Sequence, residues 1–235
     1  MLLAWEISAR IFFPGSRSWP PVSDVVVTLA WRMVDGQILT ALGESILRMS
    51  SGFVLGSLAG VACGLAMGLF APLRWTIGTV VEALRPIPAA AIIPPLIFIL
   101  GIDNALKISI ISLAVFFPVV INTLSGTLSI DPTLLDVART FRISRTSTLL
   151  RVALPAVLPY VFTGMRTGIS IALITTVVAE MIAGSGGIGY YILNMQYAMR
   201  PSEMYAGILV LAALGYATNA LFRAWEMRVL HWAHL

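Results

Sequence analysis

Few side chains in this 235-residue chain are equipped for covalent chemistry. Both histidines, His231 and His234, fall within the last five residues. Their i, i+3 spacing there suits a polar tail better than a pair of metal ligands. The single cysteine, Cys63, lies inside an apolar run and reads as a small buried side chain, with no partner for an internal disulfide. The body of the chain therefore cannot assemble a Ser-His-Asp or Cys-His nucleophile. Nucleotide chemistry is excluded more firmly. A P-loop needs Gly-Lys-Ser/Thr, yet the one lysine, Lys107, stands between Leu106 and Ile108. Gly184-Ser185-Gly186-Gly187-Ile188-Gly189 matches G-x-G-x-x-G, and Glu203 follows at about the dinucleotide-site distance. The run before it has the length of a membrane helix rather than a strand, so these glycines read as a tight loop through which the chain folds back. The chain is expected to be no enzyme and to bind no metal or cofactor of its own.

The polar residues that do cluster lie between 131 and 155, with long apolar runs on either side. Arg139, Arg142, Arg145 and Arg151 fall here, out of 15 basic residues in the chain. Asp131-Pro132 reads as a helix start: an acid for the free N–H groups, then proline where no donor is needed. Leu134, Ala138 and Phe141 fall at i, i+4 and i+7 and predict one apolar stripe. Ser144 is placed to cap a second turn leading to Leu149, Leu150 and Val152. The stretch reads as a water-exposed helical hairpin whose apolar side suits another protein. By composition alone it also reads as a basic cytoplasmic loop.

The elements around the hairpin are membrane spans. The chain is 58% apolar and 11% charged, with a mean hydropathy of +0.91. A soluble domain carries about 25% charge, so much of this surface must face lipid. The net charge of +4 is scattered, with no basic face for nucleic acid. Residues 1–13 are too short and too charged to cross a bilayer, which takes about 20 apolar residues, and lack a signal-peptide pattern. Residues 14–21 form a Pro- and Ser-rich loop. Residues 22–42 are expected as an interfacial amphipathic helix, with Val25, Leu29, Met33 and Ile38 against Asp24, Arg32 and Asp35. Spans are predicted at 46–70, 76–101, 107–129, 159–182 and 204–222, an all-α polytopic membrane protein. Gly52, Gly56, Gly60, Gly64 and Gly68 form a four-residue ladder in the first span, a face for close helix packing. Pro86, Pro88, Pro94 and Pro95 should break the second span, turning freed carbonyls toward protein or a watery path. Glu82 and Arg85, at i, i+3, are placed to pair. Arg166, inside the fourth span, is expected to snorkel toward the hairpin. Residues 183–203 read as a connection, and Arg223, Glu226, Arg228, His231 and His234 as a polar tail.

The hairpin resembles the loop of permease subunits of bacterial ATP-driven (ABC) importers, E-A-A, three residues, G, nine residues, I-x-L-P. Asp136-Val137-Ala138, Arg142 and Val152-Ala153-Leu154-Pro155 keep that register. Arg142 replaces the family's glycine, so its turn is expected to be made differently. Residues 44–56, Arg85-Pro86-Ile87-Pro88 and Ala179-Glu180-Met181-Ile182 with the glycines beyond are similar to the nitrate, sulfonate and taurine branch. The likeness spans roughly 20–225. It implies a methionine-importer-like permease fold with a cytoplasmic coupling helix, divided as an N-terminal segment (1–45), a permease domain (46–222) and a cytoplasmic tail (223–235). The family's first span is expected to be absent or trimmed. The implied partners are a second copy of the chain, membrane lipid, two ATPase subunits holding ATP and Mg, and an extracytoplasmic solute-binding protein. The implied solute is a small anion such as nitrate, a sulfonate or taurine. The coupling residues would be Asp136, Val137, Ala138, Arg139, Thr140, Phe141, Arg142, Ile143, Ser144, Leu154 and Pro155, with Leu134, Ala138 and Phe141 supplying the apolar anchor and Arg142 at its rim. Pro86, Pro88, Pro94, Glu180, Gly186 and Gly189 are candidates for the translocation path or gate. Glu180 also reads simply as a carboxylate capping the glycine loop.

Alternating the predicted spans puts Arg74, the hairpin arginines, Arg223 and Arg228 on one side, against Lys107 and Arg200 on the other. That side, with the C-terminus, is expected to face the cytoplasm of a bacterial inner membrane. Arg10, Arg17 and Arg32 fit this count poorly. A secondary transporter or channel without an ATPase is the alternative, and it would need charges paired at mid-membrane. A passive membrane scaffold gives no reason for the Asp136-to-Pro155 spacing.

Overall fold

The computed structural model describes residues 2–16 and 18–232, the side chains of Leu2, Leu135, Arg139 and Arg145 excepted. Every regular element among them is helical. A short helix α1 (Leu2–Ile7) and a π-helical turn precede α2 (Val22–Val34). Then come α3 (Gln37–Leu69), α4 (Ala71–Leu84), α5 (Ala89–Leu100) and α6 (Asn104–Leu128). The hairpin carries α7 (Pro132–Thr140) and α8 (Arg145–Thr148), and α9 (Leu154–Ile182), α10 (Ile188–Tyr197) and α11 (Pro201–Val229) complete the chain. Among the described residues four helices are long and apolar enough to cross a membrane, and α4 with α5, bent against each other, has the length and composition of a fifth if the pair counts as one span.

The centre of the bundle is α6, held between α3 and α9. The glycine ladder is what brings α3 so close. A Cβ added at Gly56 would stand 2.3 Å from the Ser112 carbonyl oxygen, and one at Gly64 2.6 Å from Thr123 Cβ. Successive rungs meet Ile111, Val115, Val119, Thr123 and Thr127 along α6. Gly164 of α9 approaches the opposite side, near the Pro118 carbonyl. Val115 and Val119 fill the seam between them and are fully buried.

The second span is broken as its prolines require, but in one place. Helices α4 and α5 meet at 99° across residues 85–88. Pro86 and Pro88 both remove donors there. Pro94 and Pro95, expected to share in the break, lie inside α5 instead. Each lacks only its own N–H, while Ile93 packs into a cluster with Leu106 and Ile110 that keeps the helix in place.

Several expected boundaries move. Helix α3 starts at Gln37, not near 46, so the division at 45/46 falls inside a helix. Only 22–34 forms the amphipathic helix. Gly36 then turns left-handed (φ +80°), and Ile38 already belongs to α3. Val25, Ile38 and Ala41 pack with Ile188, Tyr191 and Val210, whereas Met33 stays exposed. The connection 183–203 contains α10, and α11 runs on to Val229, past the expected tail boundary at 223. At α3 and α10 the cause is apolar burial, since Ile38, Ala41, Ile188, Tyr191 and Ile192 share one buried cluster, whereas α11 carries a polar side chain that finds a tertiary partner. Glu226, assigned to the tail, is buried and pairs with Arg166, which therefore does more than snorkel. Glu82 and Arg85 form no ion pair with each other among the described residues. Arg17 and His234 lie outside the described residues.

Candidate functional site

The hairpin starts and stops as its residues dictate. The Thr133 N–H donates to Asp131 Oδ1 (2.8 Å), closing the N-terminus of α7. Hydrogen bonding from Thr133 holds the Asp131 carboxyl below the usual carboxylate range. At the other end, the Ile143 N–H reaches back to the Ala138 carbonyl (2.9 Å), with Arg142 left-handed at φ +53°. This 6→1 bond is a Schellman stop, whose left-handed position glycine usually fills. The expectation that the turn would be made differently is thus corrected: Arg142 adopts the glycine conformation itself. Ser144 accepts from the Ser147 N–H (3.2 Å) and caps α8, as its position suggests.

The apolar stripe divides. Ala138 turns inward and is buried, facing a cavity of about 780 Å³ shared with Gly68, Thr127 and Leu149. It therefore cannot stand beside the others as an outward anchor. Leu134, Val137 and Ile143 are exposed, and Phe141 presents 75% of its surface to the surroundings. Thr140, Arg142 and Ser144 are exposed too, with Pro155 in the first turn of α9 and Leu154 partly covered. The Arg139 side chain lies outside the described residues, and that of Asp136 is exposed.

The opposite end of the bundle is organised around Glu180, which is fully buried. Arg48 Nη1 donates to Glu180 Oε1 (2.8 Å) and to the Gly186 carbonyl (2.9 Å). Arg48 Nε donates to Asn104 Oδ1 (2.7 Å), and Nη2 meets Glu44 Oε2 (3.0 Å). Ser45 Oγ lies 2.8 and 2.9 Å from the two Glu180 oxygens. It also accepts the Ile188 N–H (2.8 Å), while the Gly189 N–H donates to Glu180 Oε2 (3.0 Å). Lys107, counted above on the side away from the hairpin, is wholly buried, its Nζ 3.0 Å from Ser185 Oγ. One network thus ties α3, α6 and α9 to the loop 183–189. The loop glycines are sterically required: Gly187 is at φ +95°, and a Cβ on Gly189 would lie 2.5 Å from the Val177 carbonyl. Glu180 caps the N-terminus of α10, and in this conformation it lines no open path.

A cleft of about 490 Å³ opens between the α4–α5 break, α6 and α9. Arg85, Ile87, Ile92, Phe117, Asn122 and Thr175 are among its walls. Pro86, Pro88 and Pro94 do not line it. The first two shape the break that opens it, and Pro94 is exposed on α5.

Comparison with known sequences decides what such a bundle is. A family described as binding-protein-dependent transport system inner membrane component matches residues 52–231. The chain belongs to this family. Its relatives include the putative aliphatic sulfonates transport permease protein SsuC of Bacillus subtilis, 30% identical over 99% of this chain and 84% of that protein. The taurine transport system permease protein TauC of Escherichia coli is 31% identical over 99% of this chain and 86% of its own length. The nitrate import permease protein NrtB of Leptolyngbya laminosa is 29% identical over 80% of this chain and 67% of that protein. This permease is thus an ABC importer permease of the nitrate, sulfonate and taurine branch, and a multi-pass membrane protein.

Sequence reasoning singled out Glu180, Gly186 and Gly189 in this permease and missed Ser45, Arg48, Asn104 and Lys107. A signal existed. Glu44, Ser45 and Arg48 fall at i, i+1 and i+4 in an otherwise apolar helix, a spacing that gathers polar groups on one face.

Proposed function

We propose that two copies of this permease form the translocation path of an ATP-driven importer for a small anion, a sulfonate, taurine or nitrate. The hairpin 131–155 and the C-terminus face the cytoplasm, where each hairpin docks on an ATPase subunit that binds ATP and Mg. An extracytoplasmic binding protein delivers the solute to the glycine-loop end. ATPase closure moves the hairpins and rocks the spans between outward- and inward-open states. The observation that carries this reading is the exposed apolar surface of α7 around Phe141, in the coupling-loop register and backed by Ala138 against the spans. The substrates of SsuC, TauC and NrtB support the choice of anion. Co-expression with the ATPase of the same importer tests it. The two should co-purify, and Phe141→Ala should abolish co-purification while the permease still inserts.

The Arg166–Glu226 pair between α9 and α11 is the feature that favours the second reading, a secondary transporter. Uptake into liposomes driven by a proton or sodium gradient, with no ATPase present, would establish that reading instead.

A further inference from the structure

Some of the charged side chains that the spans carry are matched. Arg48 meets Glu180 and Glu44, and Arg166 meets Glu226. Glu82, Arg74, Arg223 and Arg228 form no ion pair among the described residues, and neither does Arg85, which is set apart from them by lining the cleft between the α4–α5 break, α6 and α9. Among the described residues its side chain forms no ion pair and no hydrogen bond, and no carboxylate lines the cleft it faces. Its depth makes this costly. The cleft residues Phe117 and Thr167 come from the middle of α6 and α9, with Asn122 nearer the hairpin end and Thr175 nearer the glycine-loop end. The 14 residues of α4 before Arg85 rise about 21 Å from the hairpin end, well within a hydrocarbon layer about 30 Å thick. An ionisable side chain at such a depth ordinarily has a partner or a function.

We infer that Arg85 is the anion-binding residue of a mid-membrane solute site in this cleft, and that its ligand is a small organic oxyanion. The inference rests on the importer reading above and goes further by placing the solute. A guanidinium offers paired N–H donors that match two oxygens of an oxyanion head. The Thr175 hydroxyl has no partner among the described residues, and Asn122 Nδ2 spends one of its two N–H groups on the Pro118 carbonyl (2.8 Å). Both line the same cleft as Arg85, Asn122 on its hairpin side, level with Gly164, and Thr175 on its glycine-loop side, so an anion held by Arg85 meets them in turn rather than together. The remaining walls, Ile87, Ile92 and Phe117 among them, are apolar and suit a short aliphatic tail. The α4–α5 break gives the site its place, because Pro86 and Pro88 end α4 just where Arg85 projects and swing α5 away by 99°. A solute anion here would transiently neutralise Arg85. The absence of a resident carboxylate leaves the cation free to release that anion to either side.

The test uses the permease–ATPase complex in nanodiscs, with Cys63→Ser and Thr167→Cys in the permease. The rate at which a neutral maleimide alkylates the introduced thiol is measured with methanesulfonate or with its uncharged analogue dimethyl sulfone. Methanesulfonate should slow alkylation and the sulfone should not. Arg85→Gln should raise the half-protecting methanesulfonate concentration about tenfold, and Arg85→Lys by less. Equal protection by both compounds, no protection by methanesulfonate, or undiminished protection in Arg85→Gln would overturn the assignment. The comparison of sulfonate with sulfone needs no Arg85 variant, so it decides even if that variant misfolds. Co-purified ATPase in the same preparation separates the two ideas. With it present and protection absent, only the anion site fails; with it absent, the importer reading fails.

Discussion

At the glycine-loop end of the bundle, Arg48, Lys107 and Glu180 are buried and each hydrogen-bonded inside the chain. At the hairpin end, Phe141, Arg142 and Ile143 face outward, and a cavity of about 780 Å³ lies beneath α7. Both ends carry an arginine, Arg48 at one and Arg142 at the other, and use it in opposite ways. Buried charges hydrogen-bonded within one chain make a rigid joint, because loosening any member strands its partner. Exposed apolar and cationic groups on short helices leave their interactions to be completed by something else. The first end fixes the shape of the bundle, and the second is built to be pushed.

Removing the Glu180 carboxylate should separate the ends most. Glu180→Ala leaves Arg48 buried with only the half-exposed Glu44 as counter-charge, a loss of about 3–5 kcal/mol. Melting of the purified permease should fall sharply, whereas Glu44→Ala should cost under about 1 kcal/mol. Equal, small shifts for both would mean the buried joint is no stiffer than a surface pair. At the hairpin the pattern should invert. Phe141→Ala should leave melting unchanged but weaken ATPase binding by about 2 kcal/mol or more, measured by titrating ATPase onto immobilised permease. A melting loss with intact binding would place Phe141 in the fold rather than in the interface.

The seam joining the ends is the next point to break. Gly56→Ala puts a methyl group 2.3 Å from the Ser112 carbonyl oxygen, so α3 and α6 must separate, at about 1–3 kcal/mol. Thermal unfolding should show it, and an unchanged transition would mean the seam gives way freely. The smallest effect compares like with like. Met199, which ends α10, sits at φ +55° with the Arg200 N–H on the Met195 carbonyl (2.9 Å), the same stop that Arg142 makes after α7. Arg142→Gly and Met199→Gly should each relieve up to about 1 kcal/mol of left-handed strain. Melting should rise slightly in both, and Arg142→Gly should keep ATPase binding near that of the parent. If Arg142→Gly abolished binding while Phe141→Ala spared it, anchor and rim would be exchanged.

Hydropathy, the proline cluster and the glycine ladder were enough to read spans, a broken second span and the close packing of the first. Each acts through local sterics or transfer free energy, which need no knowledge of the neighbours. The caps at Asp131 and Ser144 were equally legible, because a cap bonds to backbone two or three residues on. The left-handed Arg142 was not, since residue type alone argued against it and the 6→1 bond to Ala138 compensates part of the strain. Nor were the partners of Glu180. Ser45 and Arg48 lie more than 130 residues away from it in sequence, and nothing local distinguishes a charge that will be buried from one that will sit at the membrane surface. The packing of α3 on α6 and α9 decided that. The same packing turned Ala138 inward, left Phe141 outside, and placed Arg85 in a cleft with no carboxylate to meet it.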